Sequence, residues 1–237
     1  MFKKLHLKTE TESEWVSISD LMSVLMMIFL FIAISYMHNV QRNQLNVKKI
    51  AVAYQELQTD LYKELWNEFK DDLPNWKAVI EQETLIIRFE EPEVLFAQGY
   101  SELSDKFKVI LDDFFPRYLR IISSDKYRGN IEEIRIEGHT SSEWNGQSEE
   151  MDNYFYNMQL SQDRTRSVLQ YCLGLLKDKE LIDWSRKYIT ANGFSSSRLI
   201  MNSDGTEDKL KSRRVEFRTK TNAEKKVVEI IEQMEGV

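Results

Sequence analysis

Asp20 is the one ionisable residue in the 23-residue stretch Trp15 to Met37, WVSISDLMSVLMMIFLFIAISYM. A carboxyl group carried into hydrocarbon is held between its neutral and charged forms by small changes around it, which is what a site that takes up and releases a proton requires. At helical spacing Ser17, Asp20 and Ser23 share one face, three residues apart, so a polar stripe runs along an otherwise apolar surface. Asp20 and Ser23 are the candidate proton-binding residues. The position of Asp20, five residues after Trp15, leaves a second reading open, in which the carboxylate only reaches headgroup water.

The element that must position Asp20 is a spanning helix. At about 1.5 Å per residue a helix of this length crosses a hydrocarbon core of roughly 30 Å. Eleven Val, Ile, Leu and Phe residues between Val16 and Ile34, each worth about −0.3 to −0.6 kcal/mol on insertion, outweigh the roughly +2.5 to +3.5 kcal/mol of a central Asp. Trp15 and Tyr36 suit the two interfaces. A cleaved signal peptide is the competing reading, with Lys3, Lys4 and Lys8 as its basic start and Ala33 to Ser35 as its cleavage site. The apolar run exceeds the usual signal core of about 7 to 15 residues, and Glu10, Glu12 and Glu14 spoil the flank, so an uncleaved anchor is expected. Lys3, Lys4 and Lys8 are matched by Arg42, Lys48 and Lys49, and the charge rule leaves the orientation open.

Between His38 and Leu73 there is no Gly or Pro, and Val40, Val47, Ile50, Tyr54, Leu57 and Leu61 follow a 3,4 repeat. The pattern predicts a long helix with a narrow apolar seam, closed at Leu73-Pro74. A short parallel dimer over Val47 to Leu61 is the favoured reading; the other is that the seam packs on the chain's own domain or on a partner.

After Trp76 short β-like runs alternate with helices. Strands are expected at 85–89, 131–137, 188–194 and 214–219. One helix follows Ser104 and is interrupted by Pro116; a second begins near Leu160-Ser161 with Ser161 as its cap; the tail Ala223 to Met234 forms a third. The order suits a small α/β sandwich with helices on one sheet face. The expected division is 1–14 before the membrane, a transmembrane helix 15–38, a helical linker 39–78, a domain 79–222 and a helical tail 223–237.

Composition removes several function classes. The formal net charge is −7, with 32 basic and 39 acidic residues, against nucleic-acid binding by phosphate neutralisation. The single Cys172 forms no intrachain disulfide, and His6, His38 and His139 are too scattered to predict a metal site. With eight Gly and no phosphate loop or nucleophile elbow, no enzyme and no cofactor are expected.

Trp15, Asp20, Met22, Ser23 and Met26 resemble the transmembrane helix of the MotB family of stator B subunits, and the stretch Trp15 to Met22 resembles still more closely the ZorB group of the Zorya anti-phage system. The Trp-to-Asp spacing of five departs from the six of flagellar members. Further along, Leu95 to Leu103, Ile136 to Thr140, the run Tyr156-Asn157-x-x-Leu160-Ser161-x-x-Arg164, and Arg213 to Glu216 resemble, in order, the motifs of the OmpA-like peptidoglycan-binding family. The resemblance covers about residues 80 to 222.

The resemblance implies a specific arrangement: Asp20 as the ion site, with H⁺ as the expected ion; two copies of the helix inside a pentameric MotA- or ZorA-like channel subunit; a homodimer in the bacterial inner membrane. It also implies a cytoplasmic N-terminus and a periplasmic domain on peptidoglycan. In the family an Arg and an Asp hold the two charges of a stem-peptide diamino acid. Arg164 carries over to the carboxylate side, with Thr140, Ser141, Tyr156, Asn157 and Leu160 as further wall-binding candidates. Ser141 stands where the Asp is expected, and Glu143, Glu149, Glu150 and Asp152 in the longer stretch that follows are the candidate replacements. A flagellar stator subunit and a passive membrane-to-wall tether are the alternatives. Without the resemblance, Arg164 reads as an ordinary solvated helix residue and His139 as a strand-end residue.

Overall fold

The computed structural model describes residues 6–90, 92–97, 99–144 and 149–222; the expected tail helix 223–237 lies outside the described residues, as do the side chains of Ser17, Ile50 and Tyr54. The chain divides into two compact units, one holding its first part up to Val52 and one beginning at Ala53. Helix α1 runs from His6 to Phe69. In the first unit, residues Ile18–Lys49 make a stretch long and apolar enough to cross a membrane, with a mean hydropathy of 2.3 over its best window. Every side chain from Ile18 to Arg42 is exposed. In water such a surface would cost heavily at about 25 cal/mol per Å² of apolar area.

The second unit starts earlier than residue 79. Leu61, Leu65 and Phe69 at the end of α1 are wholly buried, as core members alongside Leu73 and Trp76. The expected linker 39–78 therefore ends in the domain. A dimer seam through Leu61 is also excluded, because that side chain is already packed within its own chain; Leu57 leans on the same core. Helix α2 (Leu73–Trp76) carries Pro74 in its first turn, where the missing N–H is not needed.

Strands β1 (Ala78–Glu81) and β2 (Ile86–Phe89) form an antiparallel hairpin, of which only β2 was expected. Four residues with one polar position carry too little alternation to register. After α3 (Pro92–Leu95), α4 covers Asp105–Ile122. Its cap is Ser104, whose Oγ accepts from the Phe107 amide at 3.0 Å. Pro116 lies inside α4 without ending it. The lost hydrogen bond is outweighed by the buried row Phe107, Leu111, Phe114, Phe115, Tyr118 and Leu119, all at 0% exposure.

Strand β3 (Ile131–His139) leads to α5 (Glu150–Gly174), then α6 (Lys179–Tyr188), β4 (Ile189–Gly193), α7 (Lys209–Ser212) and β5 (Arg214–Thr221). Helix α5 starts ten residues before the expected Leu160, and Ser161 is interior, not a cap: its Oγ donates to the Met158 carbonyl at 2.9 Å and accepts from the Ser195 amide at 3.1 Å. Helix α6 was not expected.

The sheet order is β1-β2-β5-β3-β4, antiparallel except for the β3/β4 pair, which is parallel. The β2/β5/β3 register puts Ile87, Phe89, Val215, Phe217, Ile134 and Ile136 on one face, packed under α4, the end of α1 and α5. Phe114 links these layers, with ring centroids 5.3 Å from Phe69 and 5.0 Å from Phe217. Helix α5 crosses so close to β3 that a Cβ at Gly138 would lie 2.6 Å from Thr165 Cγ2 and 2.9 Å from the Ser161 carbonyl oxygen. Glycine there is a steric requirement. The result is the expected class: an N-terminal apolar helix, a long helical connection and an α/β domain of two layers.

Candidate functional site

Two places carry candidate chemistry, one in each unit. In the first, Asp20 is exposed on α1 and no ion pair or hydrogen bond involves it among the described residues. Ser23 donates its hydroxyl to the Ser19 carbonyl at 2.8 Å, the usual back-bond of a hydroxyl residue inside a helix. Its proton is thus occupied, while its oxygen lone pairs remain available to a protonated carboxyl group one turn away.

In the second unit the predicted residues gather where β3 ends against α5. Thr140 is buried; its amide donates to the Ser195 carbonyl at 2.9 Å and its Oγ1 has no hydrogen-bond partner among the described residues. Ser141 is buried as well, and its carbonyl accepts from Asn157 Nδ2 at 3.3 Å, which also donates to the Glu143 carbonyl at 3.1 Å. Asn157 is therefore the clamp that sets the loop after β3. Tyr156 is exposed and stacks on Trp144 with ring centroids 5.2 Å apart. Leu160 is half-buried and outside the core cluster.

Arg164, two turns along α5 from Asn157 and so about 10 Å further along the axis, is only 9% exposed. Its Nε donates to the Tyr100 carbonyl at 2.9 Å and Nη2 to the Ala97 carbonyl at 3.4 Å, with the guanidinium 4.8 Å from the Phe96 ring centroid. No carboxylate pairs with it among the described residues. Burial, and then the nearby Arg213, push its pKa down to about 10. A buried, forked cation whose charge is opposed by its surroundings is poised for an anion with two oxygens.

Of the acids expected to replace the missing Asp, Glu143 is ion-paired with Lys209, while Glu149 and Asp152 are exposed at the start of α5. The side chain of Glu150 lies outside the described residues. The acid that does meet this loop is Glu207, which accepts from the Ser142 amide at 3.1 Å and its hydroxyl at 2.5 Å. Its position sixty-five residues away in the chain hid it from any motif.

The opposite sheet face carries a different cluster. Glu216 accepts from Arg88 Nε at 2.8 Å and Arg214 Nε at 2.7 Å, and Glu137 accepts from Arg218 Nε at 3.1 Å and Arg198 Nη1 at 3.3 Å. His139 Nε2 lies 3.5 Å from Glu216 and 3.8 Å from Glu137. Burial alone would raise both carboxyl groups, but His139 and the arginines hold them below the usual carboxylate range. Glu137, His139 and Glu216 have ligand atoms within 4.8 Å of one another. A divalent cation there would face four guanidinium groups already seated on the same carboxylates, so the cluster is an ion-pair network and does not fit a metal.

No family model matches the chain. It is 46% identical over 231 residues to the Zorya protein ZorB of Escherichia coli, across 98% of this chain and 97% of that one. The chain belongs to the ZorB family. Solved structures overlap it at lower similarity: a MotB-like protein from Desulfovibrio vulgaris at 21% identity, covering 70% of this chain and 95% of that one, TM-score 0.48. The cell-wall anchor of the type VI secretion system of Pseudomonas aeruginosa follows at 18% identity, 66% and 96% coverage and TM-score 0.44. The periplasmic domain of Helicobacter pylori MotB gives 17% identity, 62% and 84% coverage and TM-score 0.42. In this member of the ZorB family, both candidate regions, Asp20 and the loop cluster around Arg164, fall within the aligned length.

Proposed function

We propose that the chain is the B subunit of a proton-driven rotary motor of the bacterial inner membrane, anchored to peptidoglycan and serving anti-phage defence. The observation that carries this reading is Asp20: a carboxylate exposed on an apolar helix, without a partner among the described residues, in a member of the ZorB family. An apolar helix surface of this extent needs lipid or other helices, and a carboxylate on it needs a protein or water-lined surround. A multi-spanning channel subunit, ZorA- or MotA-like, supplies that surround for two copies of the helix.

Protonation of Asp20 removes its charge and so changes its contacts with the channel subunit, which shifts that subunit between orientations. Ser23, one turn after Asp20, accepts a hydrogen bond from the neutral carboxyl form. The N-terminus is cytoplasmic and the α/β domain periplasmic. There Arg164 takes a carboxylate of the wall, with Thr140, Ser141, Tyr156, Asn157 and Leu160 as the further wall-binding candidates. The domain holds the frame still while the partner turns. Pairing of two chains through the α1 seam falls before Leu57, since Leu57 leans on the core and Leu61 belongs to it.

Asp20→Asn tests this. The variant inserts and binds wall like the wild type, while protection against phage falls to the level of cells lacking the gene. Protection equal to wild type sinks the motor reading and leaves a passive tether.

A further inference from the structure

The sheet face away from the helices carries a cavity of about 380 Å³, within the size range of small-ligand sites. Arg135 on β3, Arg218 and Lys220 on β5 and Arg198 in the loop after β4 line it, against the acids Glu137 and Glu83. Glu137 is wholly buried, whereas the four cations are partly exposed. The acid is enclosed by its own partners and the cations face outward. None of the residues of the Arg164 loop cluster lines this cavity.

Its guanidinium groups converge. Arg218 Nε and Arg198 Nη1 bind the two oxygens of the one Glu137 carboxylate, at 3.1 Å and 3.3 Å. Arg135 is the partner of Arg218 across the β3/β5 pair, and opposed side chains of an antiparallel pair start with Cβ atoms about 4.5–5.5 Å apart on one face. Like charges set directly opposite one another destabilise a sheet. Arg135 and Arg218 are such a pair, and folding alone gives no reason for it.

Each of these arginines is also fixed in place with donors to spare. Arg135 gives its Nε to Glu133 at 2.6 Å, and Glu133 is itself held by the Thr190 hydroxyl at 2.8 Å. Arg198 lies over the Phe194 ring at 4.0 Å, and that ring stacks on His139. A guanidinium carries several N–H donors in a rigid fork, and Arg135 and Arg198 each spend only one on a side-chain acceptor among the described residues. A carboxylate ligand has two oxygens in one plane. A phosphate monoester offers three terminal oxygens in a tetrahedral arrangement, which suits donors arriving from β3, from β5 and from the loop after β4. We infer that this cavity is a second ligand site, for a phosphate monoester held by Arg135, Arg198 and Arg218, with Lys220 adding charge at its edge.

The test is calorimetric titration of the full-length chain in detergent with glycerol 3-phosphate and with glycerate, which carries a carboxylate in place of the phosphate. Dioleoyl phosphatidate added to the micelles presents the same monoester on a lipid. Wild type is expected to bind a phosphate ester and to prefer it to glycerate. Arg135→Gln, which leaves Glu137 both of its arginines, weakens that binding by about 10- to 100-fold, the range of a hydrogen bond to a charged group. Arg198→Gln, placed in a loop outside the sheet, gives a loss of the same size, and Arg164→Ala gives none. Binding of glycerol 3-phosphate assigns the site to a soluble ester; binding of phosphatidate alone, lost in Arg135→Gln, assigns it to a lipid headgroup. The site is refuted if wild type binds neither ester, if it binds glycerate as tightly, or if both arginine variants bind like wild type. A loss in Arg164→Ala equal to that in Arg135→Gln refutes it as well, by placing the phosphate at the loop cluster.

Discussion

Asp20 on the apolar helix and the pair Glu137 and Glu216 on the sheet are the same chemical group in opposite circumstances. The sheet carboxylates are buried at 0% and 2% exposure and carry four guanidinium groups between them. Their charge is held, because removing it would take the carboxylate acceptor from the buried Arg214 and the half-buried Arg218. Asp20 has no partner among the described residues and lies on a surface that must be covered from outside. Its charge is therefore free to be decided by whatever covers it. On the proposed reading, a carboxylate that stays ionised is surrounded by its own chain, and one that changes is left to a partner.

The comparison breaks most completely if the packing that buries the sheet is cut away. A fragment starting at residue 79 lacks Leu61, Leu65, Phe69, Leu73 and Trp76, all core members. Losing buried side chains of this size costs about 2–5 kcal/mol each, together about 10–25 kcal/mol, enough to cancel the roughly 5–15 kcal/mol that holds a domain. Fragment 79–222 is expected to lack near-ultraviolet circular dichroism, whereas 53–222 folds cooperatively. A native spectrum from the shorter piece would show that the end of α1 is an accessory. Next in size is Glu216→Ala in the whole chain, which takes from the buried Arg214 its one ion-pair partner among the described residues and from Arg88 one of three; a loss of about 3–5 kcal/mol in denaturant unfolding is expected. A change under about 1 kcal/mol would mean that the network is ornamental.

Acid sharpens the contrast further. Because Glu137 and Glu216 ionise below the ordinary carboxyl value of 4.5 in the folded domain, the unfolded chain binds more protons there. Their stabilisation is present in full above about pH 4.5 and is lost as pH falls toward the depressed folded values. The midpoint of thermal unfolding should be flat from neutral pH down to about 5 and fall below it, and Glu216→Gln should flatten that fall.

Much of this was legible in the sequence, and the gaps have physical causes. The apolar stretch and Asp20 stand out because a membrane span is a one-dimensional pattern. The alternation in Ile131 to Glu137 and Arg214 to Thr219 marked the two central strands, yet the hairpin strand β1 is four residues long and α6 lies in a polar stretch with few apolar anchors. The start of α5 was set too late because Ser161 looks like a cap; its hydroxyl instead back-bonds within the helix and meets Ser195. The seam of α1 was read as a dimer surface over Val47 to Leu61, although Leu61 belongs to the core: periodicity shows that a face is covered, not by what. At the loop cluster, Arg164 was visible through its motif, while Glu207 is joined to Ser142 only by the fold.

The smallest expected effect tests the other half of the comparison. Asp20→Asn keeps the size and hydrogen-bonding capacity of the side chain and removes only its charge. Since no group of its own chain pairs with Asp20 among the described residues, the unfolding free energy of the purified chain in detergent should move by no more than about 0.5 kcal/mol. The same substitution is the one expected to abolish protection against phage. A variant silent in stability and absolute in activity is what a charge reserved for a partner produces. If Asp20→Asn instead shifts unfolding as Glu216→Ala does, Asp20 is paired within its own molecule or with its own copy, and its charge is structural like those on the sheet.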